Sequence, residues 1–189
     1  MKLRIVAGAL GRRVITVDKR AQGFRPTQER IRQAVAETLK PRISGARAAD
    51  VCAGSGAMGI ELLSRGAAQV DFIENDCGRA AVILKQCEVF GIAPQCRVVT
   101  QDIRRFLDTY DKRGGNGPYD IIFYDPPYGD PALAALVPAL AGLLAPEGVL
   151  VYERDKSGVP QCEKLSMAPY RVEVRTYGDT AVEFISRID

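Results

Sequence analysis

The sequence predicts an α/β protein built on a mostly parallel sheet with helices on both faces. Three observations lead there. From residue 47 short apolar β-like runs alternate with helix-like runs, which is the pattern of strands buried on both sides. A glycine-rich turn joins the first strand of that series to the first helix. The last two β-like runs flank Gly178-Asp179, a tight turn that forces them antiparallel. Five parallel strands and this closing hairpin make seven, preceded by an N-terminal hairpin and helix. A chain of 189 residues, 47% hydrophobic and 26% charged, suits one domain with an appendage.

Each element has a local reason. Residues 2–7 and 12–17 are β-like runs separated by Gly8 and Gly11, and read as a hairpin. Gly23 to Thr27 reads as a loop, with Thr27 placed to cap a helix over 28–40. Ile31, Val35 and Leu39 form its apolar stripe, and Pro41 and Gly45 end it. The strands of the series are 47–51, 69–74, 96–100, 119–124 and 148–153; the helices are 57–65, 77–90, 102–111 and 131–144. Residues 169–177 and 180–187 form the closing hairpin, and 154–168 is too polar and Gly/Pro-interrupted for a helix.

Charge divides the chain. Its formal net charge is +3, but residues 1–47 carry +9 and residues 48–189 carry −6. The sequence is therefore read as a basic N-terminal extension, 1–47, and an acidic body, 48–189. Such asymmetry suits a polyanionic partner for the basic part, and charge alone leaves a solvated face equally open. There is no histidine, which excludes Ser-His-Asp and Cys-His nucleophile systems and histidine metal sites. Cysteines at 52, 77, 87, 96 and 162 show no zinc-ligand spacing, so no metal is expected. Their odd, scattered number reads as reduced thiols in a cytoplasmic protein. The longest apolar run, Leu133 to Ala145, is too short to span a bilayer.

Two motifs carry chemistry. In the first, Gly54, Gly56 and Gly59 fit G-x-G-x-x-G, so the backbone can approach a ligand at a helix N-terminus. Glu74 ends the next strand, where a carboxylate can accept from ribose hydroxyls. These facts alone make a dinucleotide the default ligand. Asp50, just before the loop, turns the reading toward a ligand with a positive group, such as an amino acid ammonium. Asp102 could reach an adenine amino group or simply cap the helix after it. In the second motif, Asp125-Pro126-Pro127-Tyr128 follows the apolar strand Ile121 to Tyr124. The prolines remove two N–H donors and leave a rigid set of acceptors, the Asp125 carboxylate and the Pro126 carbonyl. These suit the N–H bonds of an exocyclic amine on a base, with Tyr128 to stack on the ring. A plain turn ending a strand is the alternative.

Together the loop Asp50-x-x-Ala53-Gly54-Ser55-Gly56 and Asp125-Pro126-Pro127-Tyr128 resemble the signatures of class I methyltransferases that use S-adenosylmethionine. The chain looks closer still to the RsmD family, which methylates a guanine N2 of 16S rRNA. Ile5-Val6-Ala7-Gly8 with Gly11-Arg12-Arg13, Arg25-Pro26-Thr27 with Arg30 and Arg32, Leu62 to Ala67, and Tyr177 to Thr180 carry that resemblance from end to end. The sequence departs from it in a short first turn and in Gln33-Ala34-Val35-Ala36.

The resemblance implies a Rossmann-like class I methyltransferase fold with S-adenosylmethionine as cofactor and S-adenosylhomocysteine as product. It implies that Asp50, Gly54 and Gly56 hold the methionine end of the cofactor, with Ala53 and Ser55 also binding the cofactor. Glu74 and Asn75 would lie at the ribose, Asp102 and Ile103 at the adenine. Asp125, Pro126 and Tyr128 would hold the target guanine, with Asp125 also bordering the cofactor. Arg25, Pro26 and Thr27 would close over the site, and Arg12, Arg13, Arg30 and Arg32 would grip RNA phosphates. The implied substrate is 16S rRNA, within a small-subunit assembly intermediate; the sequence does not encode a readable oligomeric state, and a monomer is the favoured reading. Adenine-N6 and glutamine-N5 methyltransferases share the tetrapeptide logic and remain alternatives; an NAD-dependent oxidoreductase and a non-catalytic RNA-binding module stand further off.

Overall fold

The computed structural model describes residues 2–17, 28–110, 117–158, 160 and 169–188. In chain order, the short strands β1 (Lys2–Arg4) and β2 (Val14–Thr16) form the N-terminal hairpin, and α1 is Glu29–Ile43. The body follows as β3 (Arg47–Val51), α2 (Ala57–Ser64), β4 (Gln69–Glu74), α3 (Cys77–Phe90), β5 (Cys96–Thr100), α4 (Ile103–Tyr110) and β6 (Tyr119–Tyr124). The chain then runs through α5 (Pro131–Ala134), α6 (Val137–Ala141), β7 (Leu144–Asp155), β8 (Tyr170–Tyr177) and β9 (Thr180–Arg187).

The seven body strands form one sheet in the order β5-β4-β3-β6-β7-β9-β8. β5, β4, β3, β6 and β7 are parallel, and β9 pairs antiparallel with both β7 and β8. Strand order reverses at β3: the chain goes outward to β4 and β5, then returns to β6. The carboxyl ends of β3 and β6 therefore face the crevice where open α/β sheets bind ligands. Strand periodicity divides the core in two. Ala48, Phe72, Ile121, Phe123 and Val151 pack under the N-terminal hairpin and α1 to α3. Ala49, Val51, Ile73, Ile122, Tyr124 and Leu150 pack under α4 and α6.

The described residues among the first 47 are continuous with this core. Leu3, Ile5, Leu10 and Ile15 of the hairpin share the first cluster with Ile31, Val35 and Leu39 of α1 and with Met58 and Leu62 of α2. Polar contacts fix the docking. The buried Glu61 carboxylate of α2 accepts from the N–H groups of Val6 (2.7 Å) and Ala7 (3.1 Å). Leu10 N donates to Ser64 Oγ at 2.9 Å, and Thr16 N to Gln86 Oε1 at 2.8 Å. Gly8, at φ +82°, lies so close to α2 that a Cβ there would sit 1.9 Å from the Ser64 carbonyl oxygen.

Five elements differ from the sequence reading. α1 runs through Pro41 to Ile43; burying Ile43 against the core offsets the proline's lost N–H in the last turn. Its cap position is Gln28, and Thr27 lies outside the described residues. The single helix over 131–144 is two, because Pro138 has no N–H to donate to the Ala134 carbonyl four residues back and is instead accommodated in the first turn of the second helix. β7 starts at Leu144, four residues early, around an irregular register opposite Tyr119 to Ile121. The N-terminal strands are three residues each, shorter than the runs 2–7 and 12–17.

Candidate active site

The glycine loop leaves the carboxyl end of β3 in a conformation few residues adopt. Gly54 and Gly56 have φ of +57° and +69°, and Cys52 sits at +61°. Ala53 N donates to the Ile73 carbonyl of β4, and Gly56 N back to Ala53 O, so the loop is pinned to its neighbour strand. Gly59 serves packing: a Cβ there would lie 2.3 Å from Phe72 Cε1, so only glycine lets α2 lie this close to β4. The N–H groups at the start of α2 thus converge near the end of β3.

Three carboxylates surround that point. Asp50, on β3, is 2% exposed and accepts from Gly59 N at 2.8 Å. Burial, aided by repulsion from Asp125 and Glu74 and opposed by the Gly59 N–H, pushes its pKa up to about 8. Glu74, buried at the end of β4, accepts from Gly54 N at 2.7 Å through one oxygen. The other oxygen accepts from Asp76 N at 2.9 Å and Arg79 Nη2 at 2.8 Å. The carboxylate expected at the ribose therefore also ties the glycine loop to α3. Asp125, half-buried, follows β6, and its N–H reaches back toward the Val51 carbonyl of β3 at 3.4 Å.

The structure brings most of the sequence-predicted residues to this edge. Ala53 and Ser55 are buried in the loop. Asn75 is exposed beside Glu74 and accepts from Arg79 Nη2 at 3.2 Å. Asp102 is exposed after β5, where Oδ1 accepts from Arg104 N at 2.8 Å, the capping use; Ile103 is buried behind it. Pro126 is buried, while Tyr128 is 47% exposed with its hydroxyl directed inward to Glu153 Oε1 at 2.8 Å.

Among the basic residues, Arg12, Arg13 and Arg30 are exposed, Arg13 lying over the Phe90 ring and Arg30 beside the Gly178 turn. Arg32 is a correction. It is 1% exposed on α1, and its Nη2 donates to the Arg4 carbonyl at 2.8 Å. It cannot grip phosphate from there; it braces α1 against β1. Burial lowers its pKa, with Glu61 and Glu29 acting the other way. Arg25, Pro26 and Thr27 lie outside the described residues.

Sequence reasoning missed Cys52, whose thiol burial pushes up to about 12, and the acids Glu61 and Glu153. Glu153 had a signal: like Glu74, it is an acid near the carboxyl end of an otherwise apolar strand.

The buried Asp50 tests whether the residues fit a cationic cofactor. The charged groups acting on it are two further carboxylates, so a positive ligand is what this donor set stabilises. The strand order, the glycine loop and the acids at the strand ends define a class I methyltransferase. Comparison with known proteins narrows this. The family model described as conserved hypothetical protein 95 matches residues 3–186, and the chain belongs to that family, the RsmD family.

Ribosomal RNA small subunit methyltransferase D of Escherichia coli is 33% identical over 162 residues, covering 84% of this chain and 78% of that protein. The protein of the same description from Haemophilus influenzae is 34% identical over 129 residues, covering 67% of this chain and 64% of that one. The solved structure of yhhF from Escherichia coli superposes with a TM-score of 0.80 at 30% identity, covering 100% of this chain and 99% of that one. Among the described residues no helix is long and apolar enough to cross a membrane.

Proposed function

We propose that this enzyme transfers a methyl group from S-adenosylmethionine to the exocyclic N2 amine of a guanine in 16S ribosomal RNA. The observation that carries the reading is the pairing of buried Asp50 and the Asp125-Pro126-Pro127-Tyr128 turn on adjacent strands, Asp50 opposite Phe123 in the β3–β6 register. A cation-seeking pocket thus adjoins a turn rich in acceptors. The relatives' description as small-subunit rRNA methyltransferases supports the same substrate.

In this reading Asp50 and the glycine loop hold the methionine end, Glu74 and Asn75 the ribose, and Asp102 and Ile103 the adenine. The cofactor supplies an electrophilic methyl group on a sulfonium. The protein's part is orientation and electrostatics. The Asp125 carboxylate and the Pro126 carbonyl accept the two N–H bonds of the amine, which turns its lone pair toward the methyl group. Tyr128 stacks on the base. Since N2 lies in a paired edge, the nucleotide must be unstacked or flipped to enter. No histidine base is required, because the nitrogen sheds its proton after becoming cationic. Arg12, Arg13 and Arg30 grip phosphates, so binding weakens as salt rises; Arg25, Pro26 and Thr27 close over the site. The substrate we favour is RNA in a partly assembled small subunit, acted on by a monomer in the cytoplasm.

The test is labelled-methyl transfer to 16S rRNA and to partly assembled subunits, followed by identification of the modified base. N2-methylguanine supports the reading; label on adenine N6 or on protein overturns it.

A further inference from the structure

The tetrapeptide ends on an exposed loop, yet its aromatic residue is anchored. Residues 127–130 are exposed and Gly129 has φ of +84°. Tyr128 nevertheless sends its hydroxyl inward, donating to Glu153 Oε1 at 2.8 Å, with Thr180 Oγ1 at 3.4 Å from the Tyr128 hydroxyl oxygen. Glu153 is 3% exposed on β7 and Thr180 7% exposed at the start of β9. The two strands are hydrogen-bonded neighbours, with Glu153 opposite Val182 and Asp155 opposite Thr180, so both groups are carried by the rigid sheet. Lys156 N donates to the Asp179 carbonyl at 2.8 Å, which fastens the turn before Thr180 to the end of β7.

A buried carboxylate is costly, and an apolar side chain would serve packing alone better. Its placement against a phenol hydroxyl fixes that phenol's direction, because a carboxylate only accepts and the hydroxyl must donate. Resting on the proposed guanine acceptor, we propose that Glu153 and Thr180 are positioning residues for methyl transfer. They hold the Tyr128 ring by its hydroxyl at the angle that stacks on the incoming base. The antiparallel hairpin that closes the sheet thereby becomes part of the acceptor site. Arg30 borders the same hairpin: a Cβ at Gly178 would lie 3.1 Å from its Nη2. Burial, and then the Glu153 charge, raise the Tyr128 pKa, which keeps the phenol protonated as the donor.

The experiment compares Y128F, E153A, E153Q and the double variant Y128F/E153A. Labelled transfer to 16S rRNA and cofactor affinity are measured separately. Tyrosine labelled at Cζ provides a magnetic resonance signal for the phenol that does not depend on activity. Y128F and E153A should each lower kcat about tenfold, the factor that 1.36 kcal/mol represents, with cofactor affinity unchanged. The double variant should be no worse than either single, because both remove one hydrogen bond. E153Q, which keeps an acceptor, should recover most of the loss, and the Tyr128 resonance should shift in E153A and return toward its place in E153Q. Full activity in E153A, or losses that multiply in the double variant, overturns the proposal alone. A wild-type enzyme that methylates no guanine in any RNA form overturns the acceptor reading and the proposal together. Y128F, which removes a single oxygen, keeps the test decisive even where E153A does not fold.

Discussion

Asp50 offers the sharpest handle on the pocket. Burial of its carboxyl group, together with repulsion from two more carboxylates and against the opposing Gly59 N–H, raises its pKa from an ordinary 3.8 to about 8. Near neutrality the ligand-free pocket therefore holds a proton that a cationic cofactor must displace. Between pH 7 and pH 6 the ionised fraction falls about tenfold, so affinity for S-adenosylmethionine should fall about tenfold, or about 1.4 kcal/mol.

D50N keeps an oxygen for Gly59 N but has no charge to release. Its affinity should be weak and nearly flat over the same range. The linkage to stability has the opposite sign. Between about pH 4 and pH 8 the folded chain holds a proton that the unfolded chain has lost. This group therefore lowers stability as pH rises through that window, and D50N should remove that slope. Calorimetric titration of wild type and D50N at pH 6 and pH 7, with urea melts of the ligand-free proteins, reads both effects. A wild-type affinity independent of pH, or a D50N affinity equal to wild type at pH 7, would refute the reasoning.

Three further substitutions probe the scaffold. G59A drives a Cβ to 2.3 Å from Phe72 Cε1; overpacking of this kind costs about 1–3 kcal/mol, and a thermal scan should show the midpoint lowered and cofactor binding weakened together. E61A removes the acceptor for Val6 N, Ala7 N and Arg65 Nε from a fully buried site. The loss should be about 3–5 kcal/mol, and limited proteolysis should cut within residues 5–13 well before wild type. D71N strips the buried carboxylate shared by Arg47, Arg97 and the Tyr119 hydroxyl at the amino end of the sheet. It should cost about 3 kcal/mol in urea melts, the low end for a broken buried pair because both arginines reach solvent, and leave cofactor affinity as it was.

Much of this protein was legible because its strands are short, apolar and separated by turn residues. β3, β4, β5 and β6 occupy the residues their patterns predict, and the glycine loop and the Asp-Pro-Pro-Tyr turn fall at the carboxyl ends of adjacent strands. Boundaries failed where tertiary packing outweighed local preference, as at Pro41, where Ile43 pulls α1 onward into the core. Arg32 failed for a related reason. An arginine beside an apolar stripe reads as surface, and the nearness of the Arg4 carbonyl and of the Glu61 and Glu29 charges is a tertiary feature that the stripe does not show. The tether from Tyr128 to Glu153 and Thr180 joins residues 25 and 52 positions apart, so it exists only once β9 is laid against β7. Composition could show a basic head and an acidic body; it could not show that Glu61 and Ser64 weld the two into one core.

The central claim is that Asp50 and Asp125 divide the labour, one for the cofactor and one for the amine. The most direct measurement is transfer of labelled methyl to 16S rRNA by wild type and D125A, alongside their affinities for S-adenosylmethionine. The account predicts N2-methylguanine from wild type, and from D125A near-normal cofactor binding with transfer reduced a hundredfold or more, on the order of 3 kcal/mol of lost transition-state stabilisation. Unchanged transfer in D125A, or label found on any group other than a guanine N2, would contradict it.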